Sequence, residues 1–324
     1  MNTPKRTLLW LSMGAVAAAV AGCAVEDPVA EPPCAAAPEV AADGPLYGFV
    51  VDRVDVAGTA MEAERLGLDL DCDADGRPDN ALGRLLALID DMAGDLDVGA
   101  ETNAMIESGA MLHLIEVRAP DLDGAGPAAV LFEHGVDLDG DPSDNFSGVE
   151  VFEVDPARPA GSLAGHLAGG GLSVASGTIY VAVAFPGRDE PFVLPLIGAR
   201  IEATITRGGI EGRLAGGVPA EVVDEQLVPA FREGLNRIVA RDCAGGCAPD
   251  SFGALLLEMF DADRDGTIGY AELRDDPVTE ALLAPDVDLR DADGNLAPGG
   301  DGVADALSVG FGFTAVPAFV RSAR

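Results

Sequence analysis

The residues with the clearest chemical purpose stand in one run: Asp261-Ala-Asp263-Arg-Asp265-Gly266-Thr267-Ile268-Gly269-Tyr270-Ala-Glu272. Alternating aspartates, a glycine directly after them and a closing glutamate concentrate oxygen donors on one turn. Calcium is a hard cation that takes six to eight oxygens, and this spacing delivers them. A second run, Asp71-Cys-Asp73-Ala-Asp75-Gly76-Arg77-Pro-Asp79, has the first half of the same design. Its twelfth position is Leu82, so the closing acid is missing and Asp69 is left to compensate; the competing reading is an Asp-rich turn capping a helix. A third, Asp137-Leu-Asp139-Gly-Asp141-Pro142-Ser-Asp144-Asn145, has proline where the glycine should be, and a solvated hairpin tip explains it equally well. The aspartates at 286, 288, 291, 293, 301 and 305 fit no single loop and read as a Gly-rich turn with room for one weak site.

The 261–272 run resembles the calcium loop of EF-hands at every diagnostic position. The resemblance implies carboxylates from Asp261, Asp263 and Asp265, a sharp turn at Gly266, the Thr267 carbonyl, a water at Gly269 and bidentate closure by Glu272. It also implies that Ile268 pins the loop to a paired loop, although no clear second loop follows Glu272. The flanks agree: Ser251 or Asp250 can cap a helix with Phe252, Leu255, Leu256, Met259 and Phe260 on one stripe, and Tyr270–Leu273 begins an exit helix. The Asp71 run is similar to the shorter loops of dockerins and thrombospondin type 3 repeats, which implies ligands at Asp71, Asp73, Asp75 and Asp79.

These loops need a body to hold them. Residues 47–56 are β-like, a helix follows on Leu82, Leu85, Leu86, Ile89 and Met92 with Asp79 or Asn80 as cap, and a short helix fits 98–107. Strands are predicted at 111–117, 128–133, 149–154, 172–175, 179–185, 192–196 and 199–206, between Gly, Pro and Asp turns. Val223, Leu227, Phe231, Leu235 and Ile238 make a helical stripe with Pro229 as a kink. The expected fold is α+β: a β-rich body, sandwich or open barrel, with flanking helices and a C-terminal helix-loop-helix EF-hand. The expected organisation is a signal peptide over 1–22, a Pro-containing tether over 23–44, a β-rich domain over 45–242 and an EF-hand region over 243–324.

The leader supplies an address. Lys5 and Arg6 precede a short apolar run from Leu8 to Val20, and Val20-Ala21-Gly22-Cys23 resembles the bacterial lipobox. That resemblance implies cleavage before Cys23, acylation of its thiol and amine, and anchoring to the lipid bilayer at the outer membrane or cell surface of a Gram-negative cell. Four cysteines then remain in an oxidising compartment; Cys243 can pair with Cys247, which leaves Cys34 for Cys72.

Charge and composition exclude several classes. The 324 residues carry 20 Lys+Arg and 55 Asp+Glu, a net charge of −35, so no basic stripe exists for nucleic acid. Hydrophobic residues make up 48%, enough to build a core. Lys5 is the only lysine, so a mature chain from Cys23 has no Schiff-base lysine and no P-loop. His113, His134 and His166 are isolated, and His113 reads as a hydrogen-bonded sheet residue. No nucleophile elbow or HExxH occurs. The sequence therefore points to an exported, lipid-anchored calcium-binding protein without catalytic activity. The rivals are a calcium-dependent surface hydrolase using carboxylates, and a surface module presenting a cleft to a ligand or partner.

Overall fold

The computed structural model describes residues 42–73, 77–93, 97–186, 188 and 190–322. Residues 1–41, which include the expected signal peptide and tether, Cys23 and Cys34, lie outside them. Its strands are β1 (Leu46–Asp55), β2 (His113–Arg118), β3 (Ala125–Asp137), β4 (Val151–Val154), β5 (Gly161–Ala168), β6 (Gly171–Val174), β7 (Ile179–Val183), β8 (Phe192–Thr206), β9 (Gly209–Pro219), β10 (Ala306–Pro317) and β11 (Phe319–Arg321). Eight of them close into an antiparallel barrel in the order β1-β2-β3-β5-β6-β8-β9-β10, with β10 returning to β1. The strands β4, β7 and β11 lie outside this ring.

The sandwich-or-open-barrel expectation is corrected here: the barrel is closed. Closure depends on two features. The thirteen-residue β3 bonds β2 along one edge and β5 along the other. The late strand β10 enters between β1 and β9, tying the beginning of the body to its end. Eight strands give a bore that side chains just fill. On β5, Gly161, Leu163, Gly165 and Leu167 are buried while Ser162, Ala164, His166 and Ala168 are exposed. On this strand an apolar inner face opposes a small and polar outer one, the reverse of a lipid-facing strand. Among the described residues, no helix is long and apolar enough to cross a membrane.

The helices pack on this barrel. They are α1 (Ala60–Leu66), α2 (Ala81–Ala93), α3 (Val98–Glu107), α4 (Ala220–Val222), α5 (Val228–Cys243), α6 (Phe252–Phe260), α7 (Tyr270–Arg274) and α8 (Pro277–Leu282). Of the two candidate caps for α2, Asn80 takes the role, accepting from the Gly83 N–H at 2.9 Å. Where a kink was expected at Pro229, a π-helical turn over Val223–Leu227 joins α4 to α5. That turn places the proline at the start of α5, where its missing N–H costs least. One continuous core runs from barrel residues such as Phe132, Leu196 and Phe313 to Leu82 and Leu86 of α2 and to Phe231 and Leu235 of α5.

The C-terminal helix-loop-helix EF-hand is a second correction. An entering helix is present as α6, but the exit helix α7 is a single turn of five residues. The cause is Pro277, which forces Asp276 into an extended conformation (φ −72°, ψ 129°) and restarts the chain as α8. The chain then runs through the aspartates of 286–305 into β10, so this region contributes a strand to the barrel.

The staggered pairing leaves strand edges open, and asparagines close them. Pairing with β2 covers only Leu46–Val50 of β1. Beyond it, Val54 donates its N–H to Asn103 Oδ1 at 2.9 Å, and Asn103 Nδ2 donates to the Val54 carbonyl at 2.8 Å. On β10 the pairing with β1 begins only at Gly312. There Asn80, fully buried, accepts from the Gly310 N–H at 2.9 Å and donates to its carbonyl at 3.2 Å. The edge of β7 is met by His113, which accepts from the Ala182 N–H at 2.9 Å and whose pKa burial pushes down to about 3.

Candidate metal sites

The 261–272 loop begins where α6 ends. Ser251 caps α6 by accepting from the Ala254 N–H at 3.2 Å, and the Cys243–Cys247 disulfide closes the preceding turn. Arg264 (φ 61°) and Gly266 (φ 88°) adopt left-handed backbone, which folds the loop back on itself. Carboxylate oxygens of Asp261, Asp263 and Asp265 consequently lie within 4.8 Å of one another. Asp261 accepts from the Asp265 and Gly266 N–H groups at 3.0 and 2.9 Å. Thr267 donates both its hydroxyl (2.7 Å) and its N–H (2.8 Å) to Asp265, holding that carboxyl below its usual range. Glu272 reaches back across the loop, accepting from the Asp263 N–H at 3.0 Å and the Gly269 N–H at 2.7 Å.

Ile268 anchors the loop, although among the described residues no second loop receives it. Its side chain is buried in the main core. Its N–H donates to Asn236 Oδ1 at 2.8 Å, and Asn236 Nδ2 donates to its carbonyl at 2.9 Å. Asn236 lies on α5 and was not singled out in the sequence. Arg274 and Asp224 form a further tie between α7 and the π-helical turn, at 2.6 Å.

In the second loop the convergent carboxylates are Asp69, Asp71 and Asp79, again within 4.8 Å. Asp73 donates its N–H to Asp71 at 3.2 Å, and its carboxylate is not one of the three. Asp75 lies outside the described residues. All three are half-buried. Burial, with the neighbouring charge of Asp71, pushes Asp79 up to about 7 despite a 2.7 Å hydrogen bond from the Leu70 N–H, and burial also raises Asp71. Arg200 of β8 stands beside the group, its Nη2 3.0 Å from the disulfide-bonded Cys72 Sγ.

The aspartates of 286–305 complete this site's surroundings. The two segments are built alike. The Asp79 N–H donates to the Leu68 carbonyl at 3.0 Å, as the Asp305 N–H does to the Val287 carbonyl at 3.0 Å. Asp79 accepts from the Leu70 N–H, as Asp305 does from the Leu289 N–H at 3.2 Å. Leu68, Leu70, Val287 and Leu289 share one small core laid on the barrel wall at Ala215 and Ile197. Beside them, a side-chain carbon at Gly217 would meet Leu289 at 2.4 Å. Asp288 is 7% exposed, accepts from the Asp301 N–H at 3.1 Å, and keeps Oδ1 buried without a partner. Asp286 is occupied by Ser308, whose N–H and hydroxyl both donate at 2.7 Å. The kinship of these loops is hidden in the sequence because the equivalent bonds span 9 residues in one and 16 in the other.

Chemically, both convergent groups present hard oxygen donors without nitrogen or sulfur in the set, which suits calcium or magnesium better than zinc or copper. Comparison of the chain with protein families, with curated proteins and with solved structures found no match.

Proposed function

We propose that this is an exported, lipid-anchored calcium-binding protein, in which calcium is structural and fixes acidic loops on the outside of a β-barrel. The observation that carries this reading is the convergence of Asp261, Asp263 and Asp265 in a loop whose closing acid, Glu272, folds back over it. Carboxylates held this close repel one another until a divalent cation neutralises them. Asp69, Asp71 and Asp79 make a second set, partly withdrawn from water. Calcium is plentiful outside cells, so a Kd of about 10⁻⁴–10⁻³ M is sufficient for a structural ion.

The loop supplies its own reporter. Tyr270 is one of three tyrosines and belongs to the 261–272 run. Terbium added to the full chain should therefore give tyrosine-sensitised emission that calcium displaces. Glu272→Gln should weaken terbium binding there by roughly tenfold or more, because the closing carboxylate is lost. A parent chain without sensitised emission, or with emission that millimolar calcium leaves unchanged, refutes the reading at this loop. The anchor has its own test. Cys23→Ser should abolish metabolic labelling with palmitate and release the protein from the membrane fraction; equal labelling of parent and variant rejects it.

A further inference from the structure

Between the turn that joins α3 to β2 and the end of β3, the surface opens into a cavity of about 400 Å³. None of its wall residues belongs to the 69–79 or 261–272 loops. Its volume is within the range of small-molecule sites. Buried polar groups without partners collect around it. His134 is in the wall, 3% exposed, with Nε2 buried and unbonded. Asn145 is 1% exposed, and neither its amide oxygen nor its amide nitrogen has a hydrogen-bond partner. A side-chain carbon at Gly109 would stand 2.9 Å from Asn145 Nδ2, 3.5 Å from Pro142 and 4.0 Å from Asp137 Oδ2. Gly109, Pro142 and Asp137 are all wall residues, so the amide stands directly behind a wall that carries no side chain at that point. Buried polar side chains are almost always bonded, because desolvating them without replacement bonds is strongly unfavourable.

The barrel holds these groups in place. His134 on β3 pairs with His113 on β2, their rings 5.3 Å apart, and the Tyr180 backbone bonds the His134 ring. Burial, and then the charge of Arg158, push the His134 pKa down to about 4, so the ring is neutral. With one nitrogen on the Tyr180 backbone, Nε2 is left as an acceptor. Asp137 Oδ1 accepts from the Asp139 and Gly140 N–H groups, both at 3.1 Å. Arg158, also in the wall, meets Asp155 through Nε at 3.5 Å, and among the described residues both its Nη groups are spare donors. This mixture selects a class of ligand. A metal ion or an organic cation would face the Arg158 guanidinium. An anion would face Asp137 and Asp155, with the converging carboxylates of Asp139, Asp144 and Glu150 on the turn beyond. A hydrocarbon would leave His134 and Asn145 unbonded. A hydroxyl group both donates and accepts, so several on one small frame can serve all of these groups together. Met111, Leu112 and Val136 give the wall an apolar face for the carbon skeleton of such a molecule.

We propose that this cavity binds a small neutral polyhydroxylated molecule of monosaccharide size, with His134, Asp137, Asn145 and Arg158 as its polar contacts. The site goes beyond the calcium reading and does not depend on it.

Saturation-transfer NMR of the full chain reads such binding directly. The probes are glucose, galactose, mannose, ribose and myo-inositol at millimolar concentration, with glycine and acetate as charged comparisons. At least one of the neutral probes should receive saturation from the parent chain. Arg158→Ala should weaken its binding by about tenfold, because a charged donor is lost. Ala110→Trp sets an indole into the cavity from an exposed wall position, leaves the four polar contacts in place and should abolish binding. Saturation of none of the neutral probes means a cavity filled by water only, and overturns the proposal. Transfer that both variants leave unchanged puts the binding elsewhere and overturns it equally. Transfer to glycine or acetate with none to the neutral probes rejects the ligand class. Should one variant fail to fold by circular dichroism, the other decides: binding equal to the parent's in the folded variant rejects the site.

Discussion

Ile268 is held by a side-chain amide where a paired calcium loop would offer a second backbone. Asn236 bonds both its N–H and its carbonyl, at 2.8 and 2.9 Å, from 32 residues away. A carboxamide presents one acceptor and two donors in a plane, so it can complete a backbone group as a neighbouring strand would. The position of Ile268 was legible as apolar and pinned; its partner was not, because nothing local in the sequence marks an asparagine on a distant helix. If the clamp preorganises the loop, Asn236→Ala should weaken calcium binding at 261–272 by about tenfold, the usual effect of removing a partner behind a ligand shell. It should also cost roughly 1–3 kcal/mol of stability, because two partly buried backbone groups lose their bonds. Calcium affinity equal to the parent's, measured by terbium displacement, would show that Asn236 only supports the fold.

At the scale of elements, what the sequence revealed and what it concealed follow from glycine and from distance. The helices α2 and α3 were readable because their apolar residues recur on one face, and β2, β3, β4, β6, β7 and β8 because β-branched residues run between turns. Three barrel strands were missed. β5 and β9 contain glycines that reduce strand propensity, yet the barrel requires small residues there. A side-chain carbon at Gly165 would meet the Ser173 carbonyl at 2.7 Å, and one at Gly212 would meet the Ala203 Cβ at 2.4 Å. β10 did carry a signal: Leu307, Val309, Phe311 and Phe313 alternate with Ser308, Gly310, Gly312 and Thr314. The acidic stretch before it drew that segment into a calcium region, whereas it supplies the strand that closes the sheet. Of the loops, the 261 run brings together the three aspartates that alternate in its sequence. In the 71 run the convergent carboxylates are Asp69, Asp71 and Asp79, and the chain between the first two and the last turns through Cys72 at φ 66°.

At the scale of the molecule, a net charge of −35 opposes compaction, since like charges are brought closer together in the folded state. Added salt screens that repulsion whichever ions it contains. Calcium bound at built sites acts differently, because it stabilises only the state that has the sites. For a Kd of about 10⁻⁴ M, calcium at about 10 mM contributes roughly 2.7 kcal/mol per site. For a domain of this size that raises Tm by about 5 °C per site. Sodium chloride at about 30 mM has the same ionic strength and supplies the same screening without a divalent ligand. The full chain stripped with chelator should therefore melt lowest, gain little from sodium chloride and gain several degrees from calcium. Glu272→Gln should lose part of that gain and keep the sodium response intact. Equal shifts from the two salts at matched ionic strength would assign the acidity of this chain to general solvation, with no particular ion in its loops.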